Sequence, residues 1–370
     1  MASRLNPIAR RRLANQLLPA PTFRRATDVV RALGAVQSQD YAGAKWALAQ
    51  RTSGLTDADL ERAFARGAIL RTHVLRPTWH FVLPEDARWM LELTAPRIRA
   101  SQAYHERFLE LAAPVFRRSN RVLARALQGG VQRTRTELGL LLRRAGVRLA
   151  TGQHVGQVLM RAELDRVIIS GPRRGKEFTY MLFDERVPGT PPRERDAALQ
   201  DLTRRYFTTR GPATLQDFAW WSGLTVADAA RGVAIAGRSL RRGDIDGRTY
   251  WHGSTERPVR SSRMAHLLPN YDEFVVGFRD RSAVAERLLE ARPRHRVDGL
   301  IGHVVVVDGQ IVGGWRRILG TPVHVELRLR VPLTAREHGL VRRAAQRFGR
   351  FLGVSVRRLT VERPRHDAML

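Results

Sequence analysis

The stretch TDADLERAFARGAILRTHVLRPTWHFVL, residues 56–83, changes its period part-way along. Up to Gly67 it reads as a helix. Thr56 and Asp59 make a capping-box pair, Leu60 and Phe64 lie four apart on one face, and the glycine stops the run. Beyond it, β-branched and aromatic residues predict two short strands around a turn at Pro77. Upstream, RRATDVVRALGAV (24–36) predicts a helix with Val29, Val30, Leu33 and Val36 on its apolar side, and AGAKWALAQR (42–51) predicts another. Three helices that feed a hairpin make the winged form of the helix-turn-helix.

The same order recurs twice. In the second copy RVLARALQGG (121–130) ends on two glycines and TRTELGLLLRRAG (134–146) opens on a Thr134–Glu137 capping pair. GQHVGQVLMRAELDRVIIS (152–170) runs from helix into strand, and FTYMLFDE (178–185) returns after the basic turn GPRRGKE (171–177). In the third copy RDAALQDLTRRYFTTRG (195–211) is followed by helices capped by Thr214–Asp217 and Thr225–Asp228, and LRRGDIDGRTYWHG (240–253) closes as a hairpin. From residue 263 the character changes. EFVVGF, GHVVVV, GQIVGGW and VHVELRLRV read as strands, Asp308–Gly309 as a hairpin turn, and AREHGLVRRAAQRFGRFLG (335–353) as a helix. The expected fold class is α+β: winged helices over 1–95, 96–192 and 193–262, then a small C-terminal β-barrel over 263–370. The joins fall near TAPRIRA (94–100) and RVPGTPPRERD (186–196), where proline and glycine collect.

The formal net charge of +29 points to a polyanionic partner, because each neutralised phosphate releases counterions. Duplex DNA is the first candidate. The basic residues are nearly all arginine, the lysines being Lys45 and Lys176, as a GC-rich genome would give. Arginine forks suit phosphates and base edges in either case. The chain has no cysteine, which excludes disulfides and thiol catalysis and removes the common zinc ligands. No histidines and carboxylates fall at metal-ligand spacing, so neither metal nor cofactor is expected. No apolar run is long enough to cross a bilayer and MASRLNPIARRR lacks the apolar core of a secretory signal. A cytoplasmic, nucleoid-associated monomer is expected, with no membrane partner.

VQSQDY, residues 36–41, follows the glycine that ends the first helical pattern. In extended backbone, residues two apart share a face, so Gln37 and Gln39 converge there as they would not on a helix. Two amide oxygens aimed at one point can hold a water and orient its lone pair. Two solvated amides bonding loose helix-end carbonyls is the alternative reading.

ALGAVQSQDY (32–41), RTHVLRPTWHFVLPED (71–86), SGPRRGKEFTYMLFDERVP (170–188), FTTRGPATLQDFAWWSGL (207–224) and LLPNYDEF (267–274) together resemble the AlkZ-like, YcaQ-related winged-helix DNA glycosylases. The resemblance covers nearly the whole chain in order. It implies three tandem winged helices and a C-terminal barrel gripping duplex DNA, and hydrolysis of the N-glycosidic bond of alkylated bases, N7-alkylguanines and in some members interstrand crosslinks. The family's signature is glutamine, an aliphatic residue, glutamine. Gln37 and Gln39 match the outer positions, and Ser38 stands where the aliphatic residue belongs. Such weak groups suffice for a cationic N7-alkylated purine, whose glycosidic bond is already primed to break. The reaction would be monofunctional, with no Schiff-base lysine. A non-catalytic regulator built on winged helices is the alternative function, and a lesion binder that lost its activity a third.

Asp40 could orient the water or stabilise the sugar cation, although alternation points it away from the glutamines. Arg71, His73 and Arg76 in RTHVLRPTWH are candidate DNA contacts, with Arg71 and His73 on one strand face and Trp79 and Phe81 in the core. Arg173, Arg174 and Lys176 form a wing tip for phosphates or the minor groove, or a solvated turn. The resemblance sets one barrel hairpin, without saying which, in the DNA groove; Arg316 and Arg317 end one candidate hairpin, or form an ordinary charged rim. Trp220 and Trp221 read as core, with base stacking as the alternative. Asp272 and Glu273 are adjacent carboxylates and do not make a separated glycosidase dyad. RPRHRVDG (292–299) reads as a basic loop and ERPRHDAML (362–370) as a frayed tail.

Overall fold

A computed structural model describes residues 6–19, 23–255, 264–291, 302–318 and 323–362. The basic loop at 292–299 and all of the tail beyond Glu362 lie outside the described residues. After α1 (Pro7–Asn15) the first unit runs α2 (Ala26–Leu33), β1 (Val36–Gln37), α3 (Tyr41–Gln50), α4 (Asp57–Ala65), β2 (Leu70–His73) and β3 (Trp79–Val82). The second runs α5 (Pro84–Phe108), α6 (Ala113–Leu127), β4 (Arg133–Thr134), α7 (Arg135–Arg144), α8 (Gly152–Leu164), β5 (Ile168–Arg174), β6 (Glu177–Leu182) and α9 (Phe183–Arg186). The third runs α10 (Arg195–Arg210), α11 (Leu215–Ser222), α12 (Val226–Ala236), β7 (Leu240–Ile245) and β8 (Arg248–Gly253).

One geometric pattern repeats. A short extended piece between the first and second helices of each unit pairs with the last strand of its hairpin. β1 pairs with β3, β4 pairs with β6, and Ala213 bridges Trp251 of β8. The four threonine capping boxes read from sequence all form, at Thr56, Thr134, Thr214 and Thr225. Two more form at Thr151 and Thr334. The expected join near residues 94–100 falls inside α5, which continues through Pro96. Pro84 occupies the first turn of that helix, where its missing N–H costs nothing.

The C-terminal part comprises β9 (Ala265–Leu268), α13 (Glu273–Val276), α14 (Glu286–Ala291), β10 (Val304–Val307), β11 (Gln310–Ile318), β12 (Val323–Leu329), α15 (Ala335–Leu352) and β13 (Val356–Glu362). Asp308 and Gly309 take the positive φ values that the turn between β10 and β11 requires. Among the described residues the expected barrel is instead an open five-stranded sheet, ordered β13-β12-β11-β10-β9. β12 and β13 are parallel, so a crossover is needed, and α15 supplies it. Its Val341, Ala345 and Phe348 join the core of that sheet, which is therefore covered by a helix and does not close on itself. EFVVGF is likewise a helix in part: Asp272 accepts from the Phe274 N–H and starts α13, whose residues are all buried.

The cores tie the parts together. Ala9, Leu13, Trp46 and Ala49 from the N-terminal elements pack in one cluster with the C-terminal sheet. The Trp46 indole N–H and the Gln50 amide both donate to the Leu267 carbonyl. Another cluster joins β2 and α5 to α10, α11 and α12. Of the two tryptophans expected in the core, Trp221 is fully buried, whereas Trp220 is 44% exposed.

Candidate active site

Gly34, at φ 80°, ends α2 by a turn that a side chain resists, and the chain leaves extended. Val36 and Gln37 pair with Phe81 and His80, and the Ser38 N–H donates to the Trp79 carbonyl at 2.8 Å. In the second and third units the paired residue is, or directly precedes, the next helix cap: Thr134 in one, Ala213 before Thr214 in the other. In the first unit the cap is Asp40, which accepts from the Gly43 N–H at 3.1 Å. Ser38 and Gln39 therefore form an addition to the repeated unit between paired strand and capped helix.

Both amides are tied to the turn between β2 and β3. Arg76 Nη2 donates to Gln37 Oε1 at 2.7 Å, and the Trp79 N–H donates to Gln39 Oε1 at 3.4 Å. A guanidinium can only donate, so it fixes which end of the Gln37 amide is oxygen. Each amide oxygen keeps its second lone pair, and each NH2 stays available. Gln37 is buried and Gln39 exposed.

Behind Gln37 lies a buried ionic group. Glu273 Oε1 accepts from the Gln37 N–H at 2.8 Å. Glu273 Oε2 accepts from Arg210 Nη2 at 2.7 Å and from the Trp221 indole at 3.0 Å. Arg210 also donates to the Leu33 and Ala35 carbonyls on either side of Gly34. The first unit, the third unit and α13 thus meet at the Gln37 backbone. The neighbouring Asp272 pairs with buried Arg51 through both oxygens, so the two adjacent carboxylates serve separate ion pairs.

His80, paired with Gln37, is fully buried. Burial first, and then nearby Arg76, hold its pKa well below the usual range, so it stays neutral. Its Nδ1 bonds the Thr78 carbonyl at 2.9 Å. Arg71 is buried beneath Trp79, with Nε on the Ser38 carbonyl at 3.1 Å, and burial lowers its pKa to about 10. His73 shares that strand face, lies tilted against the Trp79 ring with centroids 4.4 Å apart, and bonds Glu163. The structure thus gathers Gln37, Gln39, Arg71, His73 and Arg76 around one turn. Asp40 is nearby but occupied as a helix cap. Burial holds the pKa of His303 below normal, and the charge of Asp40 partly opposes that shift.

The other predicted contacts lie apart. Arg173 reaches Glu61 at 3.4 Å and lies over the Tyr41 ring, and Arg174 pairs with Glu137 at 2.7 Å. Lys176 is exposed at the β5–β6 turn. Arg316 pairs with Glu326 on the neighbouring strand, and Arg317 is half-buried on β11. Sequence reading did not single out Arg210, Glu163 or His303. Glu273 was weighed there only as half of a carboxylate pair.

The chain is a member of the family described as DNA glycosylase AlkZ-like, whose sequence model it matches over residues 30–351. It is 27% identical over 362 residues to the interstrand DNA cross-link repair glycosylase of Streptomyces sahachiroi, covering 90% of this chain and 94% of that one. It shares the fold of the solved Streptomyces sahachiroi DNA glycosylase AlkZ, with a TM-score of 0.77, 24% identity, and coverage of 96% of this chain and 98% of that one. Among the described residues no helix is long and apolar enough to cross a membrane.

Proposed function

We propose that this DNA glycosylase hydrolyses the N-glycosidic bond of cationic alkylated purines of the N7-alkylguanine type in duplex DNA, including interstrand crosslinks of the kind named for its Streptomyces relative. The three helix–hairpin units act as tandem winged helices of a monomer. Exposed Lys176 and the arginines near it and on β11 bind phosphates. Gln37 and Gln39 position the water.

The tethering of both amide oxygens to one turn is the observation that supports this most. It ties both acceptors to one turn, Gln37 buried and Gln39 exposed, and leaves one lone pair on each for a water. Neither amide removes a proton strongly, which suits a leaving base that already bears positive charge. Holding the water in line with the sugar carbon contributes several kcal/mol at most of the kind that orientation supplies.

The test is base release from a duplex carrying one N7-methylguanine, followed by detection of the intact abasic strand. Release without strand cleavage supports a monofunctional hydrolase. Tight binding with no release from this duplex or from a crosslinked one would instead favour a non-catalytic binder.

A further inference from the structure

The exposed ring of Trp220 stands next to the glutamines. A single guanidinium spans the two: Arg76 donates to Gln37 Oε1 at 2.7 Å, and its Cζ lies 5.5 Å from the Trp220 ring centroid. At about 3.4 Å per base, those spans set the ring within about three base steps of Gln37. Arg281 approaches the same ring at 5.9 Å. The direction of the ring is fixed from behind. Trp221 is fully buried and donates to Glu273, the carboxylate that also accepts from the Gln37 N–H. Adjacent residues on a helix point about 100° apart, so anchoring Trp221 inward turns Trp220 outward. The end of α11 also seats directly on the turn between β2 and β3. A Cβ on Gly223 would meet the Leu75 carbonyl at 2.1 Å, so only glycine permits that approach.

We propose that Trp220 is the platform on which an undamaged base stacks where the duplex opens at the lesion. The proposal rests on the glycosylase reading for placing the lesion at Gln37 and Gln39, and adds a contact from the third unit to DNA outside the damaged nucleotide. An indole face flanked by guanidiniums offers a π-surface for a base and positive charge for the adjoining phosphates. Covering the ring with protein would have steadied Arg76 equally and removed apolar surface from water, yet 44% of it is exposed. A base inside an intact duplex has both faces covered by its neighbours. The contact therefore forms only at an opened site, and unstacking is least costly where a base is damaged or mispaired. Trp220 thus favours damaged over intact DNA without touching the lesion.

The test uses a duplex whose N7-methylguanine carries a 2′-fluoro sugar, which resists cleavage, so that binding is read without turnover. A 5-iodopyrimidine is placed in turn opposite the lesion and within about three steps of it on either strand. The expected result is a photocrosslink from at least one position that peptide mass spectrometry maps to Trp220. Trp220→Leu should weaken affinity for the lesion duplex about tenfold, in the lower part of what one stacked base contributes, and leave the undamaged duplex within about twofold. Trp220→Phe keeps a π-face and should restore affinity to within about threefold of wild type. Steadying of Arg76 alone would slow base release in Trp220→Leu with affinity unchanged. No crosslink to Trp220 from any position overturns the proposal. So does a loss of affinity below about twofold, or an equal loss on the undamaged duplex, in a variant with wild-type circular dichroism. A wild type that releases no base from the unfluorinated duplex ends the glycosylase reading, and the crosslink and affinity still decide the stacking.

Discussion

Arg76 donates to the amide oxygen of Gln37 at 2.7 Å, from the turn that also holds Gln39 through the Trp79 N–H. The bond converts a side chain with free rotors into one fixed in place. Arg76 is itself steadied by the ring of half-exposed Trp220, 5.5 Å away. Replacing Arg76 with methionine keeps the stem and removes the donor. We predict a fall in single-turnover base release of about tenfold, with the melting temperature little changed, since one charge-assisted bond is lost at a half-buried position. Unchanged release would show that Gln37 needs no clamp.

Glu273 is the more costly partner to lose. It and Arg210 are both fully buried, and Glu273→Gln leaves the guanidinium without its counter-charge. Urea unfolding should show a loss of about 3–5 kcal/mol, the usual penalty for breaking a buried pair from one side. A loss below about 1 kcal/mol would mean that water reaches Arg210.

Ser38 is fully buried and its hydroxyl has no partner in the structure. Family resemblance expects an aliphatic residue there, and an unsatisfied buried hydroxyl costs about 1–3 kcal/mol. Ser38→Ala should therefore raise the melting temperature while base release stays within about twofold of wild type. A lower melting temperature would show that the hydroxyl is bonded in solution.

His80 and His266 are both fully buried, with pKa values that burial, above all, pushes well below 6.5. Their Nε2 atoms lack partners. Each binds fewer protons folded than unfolded. Their share of stability is thus complete above the unfolded value near 6.5 and is lost progressively as pH falls below it. Thermal unfolding should shift downward between about pH 7 and about pH 5, and His80→Gln should shallow that slope. A melting temperature that holds or rises over this range would contradict the assignment of neutral buried imidazoles.

Lys176 and Arg71 should part company in a DNA-binding assay. Lys176 is exposed at a turn, whereas Arg71 is 6% exposed and bonded to the Ser38 carbonyl. Lys176→Ala is expected to reduce the slope of log affinity against log salt by about 1, the signature of one lost phosphate contact. Arg71→Met is expected to lower stability and leave the slope alone. A slope change in Arg71→Met without destabilisation would reverse these roles.

Much of the fold was legible because it is written locally. A capping box needs only Thr and an acid three residues on, and four such pairs marked four helix starts correctly. Asp308–Gly309 marked its hairpin for the same reason. Thr334–Glu337 obeyed the same rule and was missed, while Thr151 uses His154 in the acid's place, which no pattern announces. Pro96 misled because proline usually breaks a helix, yet α5 passes through it. The barrel failed because strand content does not specify closure. The parallel pairing of β12 with β13 through α15 decides that, and it is a non-local fact.

In the site, Gln37 and Gln39 were visible through family resemblance and their spacing. Their supports were not. Glu273 is 236 residues from Gln37, and Arg210 is 63 from Glu273, so no local spacing connects them. Trp220 and Trp221 look alike in sequence, and only the helix face separates the exposed ring from the one bonded to Glu273.

The most direct measurement is single-turnover release of N7-methylguanine from a duplex by the wild type and by Gln37→Ala/Gln39→Ala, with DNA affinity measured alongside. The water-positioning account predicts release by the wild type, a loss of at least about a hundredfold in the double variant, and equal affinity for DNA. Release by the double variant at close to the wild-type rate would contradict it.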